Sequence, residues 1–349
     1  MFGSSPPDDG PRGDGPRGRR STPGGFAAPT PVPTRDRERP VRRRAGSATE
    51  PPPIPAPAPA PDVTTDGPPV PYIPVRRLLS LTVAGFAALL TVGLIMGAQT
   101  SGVAHRLPYA IVVLGAQVLY VLATTMAIRP PAGKIVAAVG ILSALAADYA
   151  ANSPHEATIG PLGLVAGAGL VLGVIGQLAM REGRARVTES LGATTIIVVG
   201  VVAFATLLVL VRIPLGTQAI TVCLASCGVA LTIARLTDVF VPYPRLAAQV
   251  PRGAAGVVLG TMIGTAVAAY MGRYLVFFTP QSAALVGAAA AVAAILADLT
   301  IGFAEAGREL EGDAPTMWLA RHMQGPLAGF ALAAPVAYLI TNLLWKASA

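Results

Sequence analysis

From Leu78 to Trp345 the chain repeats one pattern, an apolar run of about 20 residues followed by a short polar break. Such a run matches the ~30 Å hydrocarbon core of a bilayer at ~1.5 Å of helical rise per residue. Nine runs can be drawn, at about 78–98, 108–128, 135–151, 159–180, 191–211, 219–240, 254–276, 282–303 and 326–345. The pattern predicts an all-α fold: a polytopic bundle of nine transmembrane helices.

Upstream of Val75-Arg76-Arg77 the pattern disappears. Residues 1–75 hold 20 of the 33 prolines, including Pro51-Pro52-Pro53 and the alternating Pro/Ala stretch from Pro55 to Pro61. Such composition favours extended polyproline conformations and cannot bury a core. Residues 1–75 are therefore expected to be a disordered, cytoplasmic Pro/Arg-rich tail. They carry no apolar run of the kind that marks a signal peptide. Twelve of the 26 basic residues lie in 1–77, so the pI near 10 reflects the tail and loops rather than a nucleic-acid face. After the tail come spans one to five, at 76–215, and then spans six to nine, at 216–349. Cys223 and Cys227 stand four apart in one apolar run and read as two small core residues, not as a disulfide framework.

Basic residues between spans fix an expected orientation. With the tail inside, the inner connections carry eleven: Arg76, Arg77, Arg129, Lys134, Arg181, Arg184, Arg186, Arg245, Arg252, Arg308 and Arg321. The outer ones carry four: Arg106, Arg212, Arg273 and Lys346. The expectation is a multi-pass protein of the cell (plasma) membrane, N-terminus cytoplasmic and C-terminus outside. Gly256, Gly260 and Gly264 lie on one helical face, which suits close helix packing or a homodimer seam.

Polar groups within a membrane are expensive, so they mark pairs, interfaces or function. Asp148 lies near the outer end of span three with Asn152, His155 and Glu156, at a spacing that fits no compact metal motif. The inner side of the last four spans is richer. Arg235 and Asp238, three apart, are expected to pair with each other. A loop from Val241 to Gly253 follows, containing Arg245 and Arg252. Asp298 sits late in span eight, and a long connection then carries Glu305, Arg308, Glu309, Asp313, Arg321 and His322, with Glu305 to Glu309 as a solvated turn.

From about Val222 to Leu344 this order resembles the membrane-embedded phosphatidate cytidylyltransferases, or CDP-diacylglycerol synthases. That family has a basic loop, a Gly-rich helix and a helix with Gly-Asp-Leu. A signature loop with Lys-Asp follows, ending His-Gly-Gly-x-x-Asp-Arg-x-Asp-Ser before the final helix. Here the basic loop is Arg245-Leu246-Ala247-Ala248-Gln249-Val250-Pro251-Arg252-Gly253, followed by the Gly256, Gly260 and Gly264 helix. Ala297-Asp298-Leu299 takes the Gly-Asp-Leu place and Gly312-Asp313 the Lys-Asp place, with His322 near the family histidine. The family joins phosphatidate to the α-phosphate of CTP, with pyrophosphate leaving. That reaction needs Mg²⁺ held by carboxylates.

Where the family carries Asp-Arg-x-Asp-Ser, this chain reads Gly325-Pro326-Leu327-Ala328-Gly329. Glycine and alanine cannot hold a metal. The resemblance therefore implies a non-catalytic relative that binds a membrane lipid, such as an anionic phospholipid headgroup, or regulates a partner, with no nucleic-acid ligand. Arg245, Arg252, Arg308, Arg321 and His322 are its candidate phosphate-binding residues. The first alternative is an active transferase with a rearranged site, using Asp298, Asp313, Glu305 and Glu309 as catalytic candidates and Asp298 and Asp313 as Mg²⁺ ligands. The second is a small-molecule transporter, which requires charges or broken helices at mid-membrane.

Overall fold

Nine helices long and apolar enough to cross a membrane are present among the described residues of a computed structural model of the protein. Those residues are 75–101, 106–153, 157–179, 186–312 and 317–348. The expected tail, apart from Val75, lies outside them, as do His155, Glu156 and Asp313. The fold is an all-α polytopic bundle embedded in a membrane. In chain order it comprises α1 (Arg77–Gln99), α2 (Leu107–Ile128), α3 (Gly133–Asn152), α4 (Gly160–Ala179), α5 (Val187–Arg212) and α6 (Gly216–Phe240). A short hairpin, β1 (Arg245–Ala247) and β2 (Val250–Gly253), leads into α7 (Ala254–Met271), α8 (Pro280–Leu310) and α9 (Trp318–Ser348).

α5 and α6 are the most buried of the helices and form the interior. Phe204, Leu207 and Leu210 of α5 and Ile220, Leu224 and Leu231 of α6 are fully buried. α1, α7, α8 and α9 pack around α6, while α2, α3 and α4 pack around α5. α1 on α6 and α2 on α9 join the two sets of spans, and the helices belong to one compact unit. α4 and α7 lie at the periphery and expose most of their apolar side chains, as lipid-facing helices do.

Small residues set the closest approaches. A β-carbon at Gly256, Gly260 or Gly264 of α7 would stand 2.7, 2.5 or 2.6 Å from the carbonyl oxygens of Ala234, Ala230 and Ser226 on α6. The glycine stripe is therefore occupied by α6 of the same chain, which is the packing role expected of it. Cys223 and Cys227 are buried free thiols in that interior.

Three features depart from the expected layout. α7 stops at Met271 rather than near Val276, and the chain turns through Gly272 to Thr279, where a capping box between Thr279 and Ser282 starts α8. α8 runs on to Leu310 and α9 begins at Trp318, eight residues before Pro326, so the long polar connection shrinks to a few residues. Glu305, Arg308 and Glu309 are thus helical rather than a solvated turn: Arg308 Nη1 donates to the Ala127 carbonyl at the end of α2 (3.1 Å), and both glutamates pair with Arg321 of α9. Finally, the loop after α6 is an antiparallel hairpin, with Arg245 opposite Gly253 and Ala247 opposite Val250.

Candidate functional site

The hairpin end of the bundle holds the charge that the apolar helices lack. Asp238 closes α6, Arg252 and Gly253 close the hairpin, Asp298 sits three turns before the end of α8, and Arg235 lies one turn before Asp238. Asp298 has no exposed side-chain surface and receives two guanidiniums, from Arg235 at 2.5 Å and from Arg252. Arg252 also binds Asp238 at 3.1 Å, and Asp238 accepts the Gly253 backbone N–H at 2.9 Å. The expected Arg235–Asp238 pair therefore does not form. Each reaches across to another element instead, because Asp298 and Arg252 are buried and need an opposite charge more than an interfacial pair would. Burial pulls the Arg252 guanidinium below its ordinary value and Arg235 adds to this, while Asp298 and Asp238 oppose it.

The chain makes room for this network with a glycine. A β-carbon at Gly325, near the start of α9, would collide with Asp298 Oδ1 and stand 3.5 Å from Arg235 Nη2. Gly325 is also the first residue of the segment 325–329, which carries no acidic side chain. Its lack of a side chain lets α9 close over the ion network.

Beside the network lies a cavity of about 320 Å³. Its walls come from the start of α1 (Arg76, Ser80), the hairpin (Gln249 to Arg252), late α8 (Asp298, Glu305, Glu309) and early α9 (Arg321, His322, Gly325), with Arg235 beneath. Arg321 pairs with both Glu305 and Glu309. Arg76, Arg235 and Arg321 form a basic cluster on its lining, and His322 lies among them. Arg235 Nε is buried and donates to no partner in the structure.

The candidates separate on this geometry. Arg252, Arg321, His322, Asp298, Glu305 and Glu309 converge on the cavity. Arg308 does not, since it caps α2, and Arg245 remains on the hairpin, bonding the Ala248 carbonyl (3.5 Å) and lying 5.8 Å from the Tyr243 ring centroid. Asp313 lies outside the described residues. The sequence does not single out Arg235 and Arg76 for the cavity, or Asp238 for the ion network beside it. In the sequence Arg235 and Asp238 stand out as charges at a span end whose nearest partners are each other, and Arg76 stands out only as a topology signal. Among the described residues, no group of three His, Cys, Asp or Glu side chains could hold a metal ion. No family model matches the chain, and no curated protein matches it significantly.

Proposed function

We propose that the chain is a non-catalytic membrane protein, resembling CDP-diacylglycerol synthases, that holds the headgroup of an anionic phospholipid in the cavity at its hairpin end. The observation that carries this reading is the disposition of charge there. Each acidic side chain described in the site is held by an arginine, Asp298 by two, Asp238 by one, and Glu305 and Glu309 by Arg321. Carboxylates engaged in this way are poor Mg²⁺ ligands, because coordination would strand buried guanidiniums. Basic donors remain to be used. Arg76 makes no ion pair among the described residues, and Arg235 Nε has an unused N–H. A phosphate monoester or diester accepts such donors in short, charge-assisted hydrogen bonds.

The proposal also takes the hairpin end as cytoplasmic, on the eleven-to-four excess of basic residues in its connections. A headgroup would enter from the inner leaflet, where anionic lipids give the surface a negative potential. The test of the non-catalytic half is a transfer assay on the purified protein with CTP, phosphatidate and Mg²⁺. No CDP-diacylglycerol is expected. Turnover above background that is lost in Asp313→Asn would overturn the reading in favour of an enzyme with a rearranged site.

A further inference from the structure

A second buried polar site lies in the other half of the bundle, between α2, α3 and α5. Gln117 stands ten residues into α2, roughly 15 Å of helical rise from its start, and is fully buried. Its Nε2 donates both of its hydrogens, one to Asp148 Oδ1 of α3 at 2.8 Å and one to the Val201 carbonyl of α5 at 3.0 Å. Turning the amide over would set its oxygen against two acceptors, so this orientation is fixed. Two buried acceptor oxygens are then left with no donor, Gln117 Oε1 and Asp148 Oδ2.

Asp148 is only 8% exposed, and no cation pairs with it among the described residues. Asn152 donates to the backbone carbonyl of Asp148, not to its carboxyl group. Arg212, the basic residue at the end of α5, donates to the Ala151 carbonyl at 2.6 Å. α2 and α4 contain no charged residue, and α4 meets α3 through Gly169 against Ser143. An ionised carboxylate supported by one neutral amide within a membrane is strongly disfavoured. A proton on the carboxyl group removes the charge and turns one orphaned acceptor into a donor.

We infer that Asp148 and Gln117 form a proton-binding site within the membrane domain, in which Asp148 is held as a neutral carboxylic acid and Gln117 orients it. The carboxylate takes its proton from water and returns it to water, with no other reactant. A divalent metal does not suit the site, since one carboxyl group and one amide supply too few charged oxygen ligands. The site is separate from the headgroup cavity and does not depend on it.

The test uses the full-length protein in lipid nanodiscs treated with a hydrophobic carbodiimide, which modifies protonated carboxyl groups, followed by peptide mapping. At neutral pH Asp148 is expected to be labelled, with labelling falling about tenfold per pH unit once the proton is lost. The infrared C=O band of a protonated carboxylic acid should be present and should vanish in Asp148→Asn. Labelling needs no variant, so it decides the matter even if that substitution prevents folding. An unlabelled Asp148, or an infrared band unchanged in the variant, overturns the inference. Protection by Na⁺ at constant pH does so too, because it makes the site one for a metal cation.

Discussion

At the residue scale, Asp298 and Gly325 form a matched pair. Asp298 is buried with two guanidiniums on it, and Gly325 is the position that must have no side chain for this to fit. Replacing Asp298 by Ala would leave Arg235 and Arg252 without their shared anion, a loss of about 3–5 kcal/mol when one partner of a buried pair is removed. The measurement is thermal unfolding of the detergent-solubilised protein, with a large drop in midpoint expected. Gly325→Ala should destabilise by about 1–3 kcal/mol through overpacking, and Gly325→Asp by more, since it sets a second carboxylate against Asp298. A Gly325→Asp protein as stable as the parent would show that the acidic signature of the resembled family can be accommodated here. Arg252 belongs to this framework. Its replacement should lower stability as well as ligand binding, so Arg76 is the cleaner probe of binding.

At the scale of elements, the glycine stripe of α7 makes the sharpest prediction. Gly260→Leu would drive a branched side chain into the Ala230 carbonyl, 2.5 Å from where its β-carbon would sit. A loss of about 1–3 kcal/mol or more is expected, whereas the same change at Gly163 of α4, which has open space around it, should be nearly neutral. Nine spans were legible because a bilayer demands a fixed length of apolar helix, and eight residues of misplacement at α9 did not alter the count. The hairpin was not legible. Val241 to Gly253 contains three prolines and no alternating apolar run, and its two short strands carry Arg252 onto Asp238 and Asp298 of other elements. The extension of α8 was hidden for a related reason. Glu305 and Glu309 read as solvent-seeking, but as an i, i+4 pair on a helix they converge on Arg321 of α9. The charges of the site were thus visible in the sequence, and their partners were not, because every partner comes from another element.

At the scale of the whole molecule, the proposed orientation is open to a direct check. Cys223 and Cys227 are buried, so background labelling should be low in the native chain. A cysteine at Gln281 should react with an impermeant maleimide added outside intact cells, and one at Glu189 should not. The reverse pattern would place the cavity on the outer face. The central claim, that the cavity holds an anionic headgroup, is tested most directly by lipid binding to the purified protein by native mass spectrometry, with phosphatidate and phosphatidylcholine compared for the parent and Arg76→Ala. Phosphatidate is expected to bind in clear preference, and Arg76→Ala to weaken it by about 1–3 kcal/mol, the worth of a hydrogen bond to a charged group. Equal binding of the two lipids, or phosphatidate affinity unchanged in Arg76→Ala, would contradict the account.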